Sequence, residues 1–146
     1  MTNRVKVISL NVRGLRNQVK RRSIFSYLTN QKATLYCLQE TFSNEDDDKM
    51  WSAEWGGQII FSRGSEHPRG VCILLSINSG FSLSTVRADG DGRYIIVKVN
   101  MGDEHLFANN SYAPNTGAEQ ELCQSDLKNG HYEDNYSRQL KWRAVP

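Results

Sequence analysis

The sequence predicts a mixed α/β fold, and three observations support this. Short segments rich in Val, Ile and Leu recur along the chain between Gly, Pro, Asn and Asp residues, which is the pattern of strands joined by turns. An amphipathic stretch near 18 to 30 indicates a helix between the first two of these segments. The length of 146 residues agrees with one domain that can bury a core.

The predicted elements begin with a strand, a helix and a second strand. Residues 5 to 10 alternate only partly in hydrophobicity, which suits a strand covered on both faces. The second strand is expected at 34 to 39. The predicted buried side of the helix near 18 to 30 consists of Val19, Ile24, Phe25 and Leu28.

A short second helix and a series of strands complete the pattern. The acidic run at 45 to 48 predicts a helix start, because a helix N-terminus favours negative charge. Trp51 and Trp55 are four residues apart, so both are expected on one buried helix face. The remaining strands are predicted near 58 to 62, 70 to 77, 81 to 87, 93 to 100 and 105 to 112.

Polar side chains stand where three apolar strands end: Asn11, Glu40 and Tyr112. A partly buried carboxylate without a basic neighbour needs a compensating charge, for which Mg²⁺ is one candidate. Asn11 could contribute an amide oxygen to that cluster or donate to a phosphate, and the Tyr112 hydroxyl could donate to a phosphate oxygen. The alternative is that each residue is a turn former or a solvated cap.

These strand ends lie in segments that together resemble a known protein family. Ser-Leu-Asn-Val-Arg-Gly-Leu at 9 to 15, Leu-Gln-Glu-Thr at 38 to 41 and Tyr-Ala-Pro-Asn at 112 to 115 are similar to motifs of the exonuclease-endonuclease-phosphatase superfamily. The segments at 69 to 74 and 91 to 97 resemble its central hairpin strands. Within the superfamily, the likeness is to the apurinic-type endonuclease domain of LINE-like non-LTR retrotransposons. It implies a two-sheet α/β sandwich.

The resemblance also implies a metal-dependent phosphodiesterase that nicks DNA. Glu40 matches the family's Mg²⁺ ligand, for which Mn²⁺ can substitute, and Asn11 matches the amide beside it. Tyr112 matches the phenol that contacts the scissile phosphate, and Asn115 matches the polar residue that closes the motif. The implied partners are DNA and a reverse transcriptase domain in the parent retroelement polyprotein.

Positive charge is concentrated in the first part of the chain. The first 39 residues contain eight basic side chains and no acidic one, although the net charge of the chain is only +2. Arg13 and Arg16 follow the first strand, and Lys20, Arg21 and Arg22 open the helix. This arrangement predicts a positive field in which Arg13 and Arg16 bind DNA phosphates. A solvated helix face is the alternative for the three helical residues.

Other parts of the family's machinery have no counterpart in this sequence. Family members carry a Gly-Asp-Phe-Asn segment, whose Asp activates water, and a Ser-Asp-His segment, whose His stabilises the transition state. His131 lacks a preceding Asp, and Asp126 lacks the matching neighbours. General acid-base help is worth about 10²- to 10⁴-fold in rate, so we expect an inactive or weakly active chain.

Two alternatives to an endonuclease stay open. The first is a non-catalytic retroelement fragment that at most binds DNA or metal, which the absent segments favour. The second is a phosphatase-like or sphingomyelinase-like hydrolase of the same superfamily, which would share the Asn11 and Glu40 chemistry but not the substrate. The Tyr-Ala-Pro-Asn segment and the basic segment after Asn11 favour DNA over this second alternative.

The end of the chain differs in composition from the rest. In residues 116 to 146 the only Leu, Ile, Val or Phe side chains are Leu122, Leu127, Leu140 and Val145. These are too few for a strand pair or a helical stripe. The family's sandwich needs on the order of 220 residues. We therefore expect 1 to 115 to be the N-terminal part of the sandwich, truncated with most of the second sheet missing, and 116 to 146 to be a disordered or non-homologous tail.

The cysteines and the hydropathy of the sequence argue against zinc, disulfide and membrane-spanning classes of protein. Cys37, Cys72 and Cys123 are odd in number and lack Cys-x-x-Cys spacing, so neither a zinc site nor a disulfide framework is indicated. Cys37 and Cys72 lie in apolar strands and are expected in the core. No signal peptide or membrane-spanning apolar run is present. These features predict a soluble intracellular protein of the nucleus or cytoplasm.

Overall fold

Two four-stranded sheets pack face to face in the computed structural model, which describes residues 5–63, 70–112 and 138–144. The first sheet has the order β1 (Val7–Asn11), β2 (Leu35–Gln39), β4 (Gly70–Leu75) and β3 (Ile59–Arg63). The second has the order β5 (Ser82–Ala88), β6 (Tyr94–Met101), β7 (Glu104–Tyr112) and β8 (Arg138–Ala144). Two α-helices, α1 (Gln18–Asn30) and α2 (Asp48–Trp55), cover the outer face of the first sheet. A 3₁₀ turn at Glu45–Asp47 precedes α2.

Strand β2 shows how the sequence builds these layers. All five of its residues are buried, which is the signature of a strand covered on both faces. Leu35 and Cys37 join the core between the sheets, whereas Tyr36 and Leu38 join the core beneath the helices. This division follows from the alternation of side chains along a strand. The α/β sandwich that the sequence predicts is confirmed.

Helix α1 has its expected length but a different buried face. It begins after Asn17, whose side chain accepts a hydrogen bond from the Lys20 backbone N–H, and it buries Arg21, Phe25 and Leu28. The prediction that Val19 is buried is wrong, because 77% of this residue is exposed. Phe25 follows Arg21 by four residues and Leu28 follows Phe25 by three, so these three side chains share one face of the helix. Val19 lies two residues before Arg21 and therefore faces the opposite side.

Helix α2 agrees with its sequence pattern. Trp51 and Trp55 are both buried, and the Trp55 ring meets Phe25 and Tyr36 edge to face at 5.5 and 5.3 Å between ring centroids. The Asp47 carboxylate accepts from the Asn44 N–H at 2.8 Å, which caps the 3₁₀ turn before the helix. The N-cap of α2 itself makes no side-chain hydrogen bond.

The second sheet is more complete than the sequence indicated. The expectation that most of it is missing is wrong, because β5 to β8 form four paired strands. Strand β8 lies within 116 to 146, where no strand was expected, and pairs in parallel with β7. It is an edge strand of its sheet, and an edge strand needs few apolar side chains to form its ladder. The rest of 116 to 146 lies outside the described residues, and the domain boundary at 115 stays a prediction.

The two cysteines that the structure describes are buried, as predicted, and both are free thiols. Cys37 lies in the core between the sheets, and Cys72 in the core beneath the helices. Burial raises the pKa of the Cys37 thiol to about 12 and raises that of Cys72 as well. In the described ranges, none of the helices has the length and hydrophobicity that crossing a bilayer requires.

Candidate functional site

The strand ends that carry the predicted site residues lie at one end of the sandwich. Strands β1 and β2 run in parallel and finish side by side, with Asn11 opposite Gln39. Strand β7 finishes at the same end, because the Gln39 side chain donates to Asn110 Oδ1 at 2.8 Å across the two sheets. We call this the site end. The far end is the opposite one, where β2, β3 and β5 begin and where β6 turns into β7.

The loop after β1 runs alongside the residues that follow β2. The backbone N–H groups of Val12, Gly14 and Leu15 donate to the carbonyls of Gln39, Glu40 and Thr41 at 3.0, 2.6 and 3.1 Å. A Cβ on Gly14 would lie 2.9 Å from the Phe42 ring, so this position requires glycine for the close approach. The loop that carries Arg13 is thereby fixed beside Glu40.

Asn11 and Glu40 occupy adjacent strand ends. The Asn11 Oδ1 atom accepts from the Arg13 N–H at 3.1 Å, which orients the amide. Glu40 is half-buried and has the left-handed φ of 56°, so its backbone leaves the strand direction at this point. Among the residues that the structure describes, no hydrogen-bond or salt-bridge partner contacts the Glu40 carboxylate.

The basic residues near this end fall into two groups. Arg13, Arg16, Lys20 and Arg22 are exposed, and Lys20 Nζ donates to the Arg13 carbonyl at 3.0 Å. Arg21 is only 1% exposed. The prediction that Arg21 contributes to an exposed positive field is therefore wrong, whereas the other four side chains are open to a polyanion.

Arg21 instead ties the helices to the loop. Its Nε and Nη2 atoms donate to the two carboxylate oxygens of Glu54 at 2.5 and 2.8 Å. Its Nη1 donates to the Leu15 and Arg16 carbonyls at 3.0 and 3.2 Å, and its guanidinium lies 5.3 Å from the centre of the Trp51 ring. The hydrogen bond with Glu54 raises the pKa of Arg21, and the bond from Arg21 lowers the pKa of Glu54.

Two predicted site residues are described incompletely. The Tyr112 backbone ends β7 opposite Ala144 of β8, and only its backbone is described. Asn115 lies outside the described residues. The described parts of the chain contain no group of three or more His, Cys, Asp or Glu side chains that could hold a metal ion.

Sequence reasoning missed two buried amides at the site end. Gln39 is 1% exposed and Asn110 is fully buried. Asn110 Nδ2 donates to the carbonyls of Leu38 and Cys72 at 3.0 and 2.7 Å. The available signal was the alternation of β7, where Leu106 and Ala108 face the core between the sheets and Asn110 takes the next position on that face.

Comparison with known proteins gives one sequence relative and a set of solved structures with a similar fold. No protein-family model matches the chain. A transposon protein of Xenopus laevis, the TX1 uncharacterized 149 kDa protein, is 26% identical over 115 residues, which cover 79% of this chain and 9% of that protein.

Three solved structures of named proteins have the same fold as this chain. The endonuclease domain of TRAS1, a telomere-specific non-LTR retrotransposon, matches with a TM-score of 0.63 at 11% identity over 91% of this chain and 57% of that one. The AP endonuclease LMAP of Leishmania major has a TM-score of 0.60 at 17% identity over 86% and 45%. TDP2 of Caenorhabditis elegans has a TM-score of 0.58 at 18% identity over 85% and 42%.

The chain thus spans from 42% to 57% of the length of these structures. The sequence motifs and the structural neighbours indicate the same fold. The resemblance drawn from the motifs at 9 to 15, 38 to 41 and 112 to 115 is confirmed: this chain has the fold of the exonuclease-endonuclease-phosphatase superfamily.

Proposed function

We propose that the site end acts on the phosphodiester backbone of DNA as a metal-dependent endonuclease of the retrotransposon type. The observation that carries this proposal is the position of Glu40. Its carboxylate stands at a strand end, without a protein partner in the described ranges, beside the loop that holds Arg13. The TRAS1 endonuclease domain among the structures of the same fold and the transposon protein among the sequence relatives support the retrotransposon type.

The residues at the site end fit a divalent cation of the Mg²⁺ type. Mg²⁺ prefers oxygen ligands and often keeps only one or two carboxylates, with water and substrate phosphate oxygens completing its shell. Glu40 supplies one carboxylate, and Asn11 Oδ1 supplies an amide oxygen that already accepts one hydrogen bond from Arg13 N–H. When bound, Mg²⁺ or Mn²⁺ would polarise the phosphoryl oxygen and offset the charge that develops on it.

The side chains around Glu40 have separable roles in binding the phosphodiester. Because Asn11 Oδ1 is held by the loop backbone, its Nδ2 is oriented to donate to a phosphate oxygen. Arg13 and Arg16 are exposed and bind the flanking phosphates by charge. Tyr112 and Asn115 complete the set, with the Tyr112 hydroxyl donating to the scissile phosphate.

The rate of this reaction in the chain itself is a separate question. The Gly-Asp-Phe-Asn and Ser-Asp-His segments do not occur in its 146 residues. Without those groups, turnover by this chain is expected to be slow, because general acid-base help is worth about 10²- to 10⁴-fold. The second candidate function is therefore DNA binding without cleavage, in a retroelement polyprotein that also carries reverse transcriptase, inside the nucleus or cytoplasm.

A plasmid assay tests the endonuclease proposal. Purified chain is incubated with supercoiled plasmid in Mg²⁺, in Mn²⁺ and in EDTA, and the open-circular product is quantified. We expect nicking in either metal, none in EDTA, and a loss of about 100-fold or more in Glu40→Gln, because metal stabilisation of the transition state is worth several kcal/mol. Glu104→Gln is the matched control, since Glu104 begins β7 at the far end.

The outcomes separate the candidates. Nicking that survives Glu40→Gln would contradict the metal role. A folded protein that binds duplex DNA without nicking it would favour the non-catalytic function. Hydrolysis of a phospholipid headgroup or a phosphate monoester, without any effect on DNA, would favour the phosphatase-like alternative. For DNA binding, Arg13→Gln should reduce the slope of log affinity against log salt by about 1, because one phosphate contact is lost.

A further inference from the structure

A set of hydrogen bonds centred on a buried glutamine joins both sheets directly behind the candidate site. Gln39 is the last residue of β2 and immediately precedes Glu40. Its Nε2 atom carries two hydrogens and has three acceptors within hydrogen-bond distance: Asn110 Oδ1 of β7 at 2.8 Å, Ser9 Oγ of β1 at 3.0 Å and the Cys37 carbonyl at 3.1 Å. We call the contact between the two amides the Gln39–Asn110 bridge.

We propose that Gln39 is a positioning residue of the candidate site, which fixes the strand end that carries Glu40 relative to those that carry Asn11 and Tyr112. The inference rests on the proposed function, because it assigns a role in that same site. The three strands that Gln39 links are the three whose ends hold the predicted site residues. Gln39 itself is buried and does not reach substrate.

The need for such a residue follows from how sheets pack. Two sheets in a sandwich lie about 10 Å apart and are held mainly by apolar contacts, which have no preferred direction. Apolar contacts alone allow the strand ends of one sheet to shift against those of the other. Hydrogen bonds between buried amides require defined distances and angles, so they set this relative position.

The energetics of Gln39 also indicate a role besides stability. Its Oε1 atom is buried and has no hydrogen-bond partner among the described residues. An unsatisfied buried oxygen costs free energy that an apolar side chain at the same place would not cost. Burying this amide therefore carries a desolvation cost, and the contacts that it makes to Ser9 and Asn110 have defined directions.

A second glutamine offers a matched control. Gln58 Nε2 donates to the Leu83 carbonyl at 2.8 Å, and Gln58 Oε1 accepts from the Leu83 N–H at 2.8 Å. This contact also joins the two sheets, but Gln58 precedes β3 and Leu83 lies near the start of β5, at the far end. Methionine is similar in volume to glutamine and cannot donate, so Gln39→Met and Gln58→Met each remove a glutamine contact between the sheets, at opposite ends.

The test measures Mn²⁺ affinity by electron paramagnetic resonance, together with kcat and KM for plasmid nicking. At equal folded fraction, Gln39→Met is expected to weaken Mn²⁺ binding tenfold or more and to lower kcat by at least as much, with KM for DNA within twofold. Gln58→Met should leave all three within twofold of the unchanged chain. Gln39→Met protein with unaltered Mn²⁺ affinity and kcat would overturn the proposal.

Amide hydrogen exchange keeps the proposal testable if neither metal binding nor nicking is strong. Gln39→Met should lower protection selectively at Val12 and Thr41, whose N–H groups donate to the Gln39 and Gly70 carbonyls. Uniform loss of protection, or none, would mean that Gln39 only packs. Failure of the proposed function looks different: Glu40→Gln would then bind Mn²⁺ like the unchanged chain, while the exchange pattern of Gln39→Met would still report on positioning.

Discussion

The two ends of the sandwich are each closed by a glutamine that joins the sheets, but they are built differently. At the far end, Gln58 is exposed and its side chain pairs with the backbone of Leu83. At the site end, Gln39 is buried and meets a second buried amide, Asn110, which in turn contacts β2 and β4. The far end has a local clamp, whereas the site end has a network that holds strands from both sheets.

Backbone conformation differs between the ends only in part. Three glycines occupy left-handed positions in the turns of the far end: Gly56, Gly80 and Gly102. At the site end, Arg13, Glu40 and Phe42 take positive φ values of 50°, 56° and 54°. Non-glycine residues in this region carry a strain of about 1–2 kcal/mol. The division is not complete, because Gly14 and Gly92 also take positive φ at the site end and Lys32 does so at the far end. Strained side chains are therefore more numerous at the site end but are not confined to it.

Removing Asn110 should produce the largest difference between the ends. Asn110→Ala leaves the carbonyls of Leu38 and Cys72 and the Gln39 amide without their partner, so we expect a loss of about 3 kcal/mol in the free energy of unfolding. Gln58→Ala removes an exposed clamp and should cost about 1 kcal/mol. Urea denaturation of both variants measures this comparison, and equal costs would show that the two glutamine contacts are equivalent.

Breaking the Arg21 contact should have the next largest effect. Arg21→Met leaves Glu54 without its partner and frees the Leu15 and Arg16 carbonyls, so a loss of about 2 kcal/mol is expected. Arg22→Met is the control, because Arg22 is exposed and should change stability by less than about 0.5 kcal/mol.

The pH dependence of stability checks the same contact. Arg21 lowers the pKa of Glu54 from its ordinary 4.5, so the pair contributes stability above that pH and loses it as pH falls through the lowered value. The free energy of unfolding should therefore fall more steeply below about pH 4.5 in the unchanged chain than in Arg21→Met. Parallel pH profiles for the two proteins would contradict the assignment.

Replacing left-handed residues with glycine should have the smallest effect on the free energy of unfolding, and it should increase stability where the preceding substitutions decrease it. Lys32 has a φ of 52° in the loop between α1 and β2, at the far end. Lys32→Gly should raise the free energy of unfolding by about 1 kcal/mol, because glycine removes the strain. Arg13→Gly should stabilise similarly while weakening DNA binding, since it removes an exposed cation. Thermal unfolding and a DNA-binding titration measure the two effects, and destabilisation by both substitutions would contradict strain at these positions.

The sequence predicted the local elements better than the contacts between them. Alternation and turn residues gave strands β1 to β7, and Glu40 stands at the end of β2 as its position after Leu38 and Gln39 suggested. The buried face of α1 was mistaken at Val19, because a charged residue, Arg21, occupies a core position that only its pairing with Glu54 permits. A partner 33 positions away leaves no periodic signal.

The same limit applies to the bridge and to the second sheet. Gln39 and Asn110 are separated by 71 positions, and each looks like an ordinary polar residue until the sheets are placed together. Strand β8 is specified by pairing with β7 more than by its own hydrophobicity. The roles of Asn11, Glu40, Tyr112 and Asn115 in a reaction stay predictions that the assays above address.

Cys37 and Cys72 lie in separate cores, so the labelling rate of each thiol reports the opening of a different layer of the molecule. A soluble thiol reagent can reach Cys37 only when the two sheets part, and can reach Cys72 only when the helices lift from the first sheet. The raised pKa of each thiol keeps the reactive thiolate scarce while the chain is closed. With Cys123 replaced by Ser, labelling rates at the two positions would report which layer separates first.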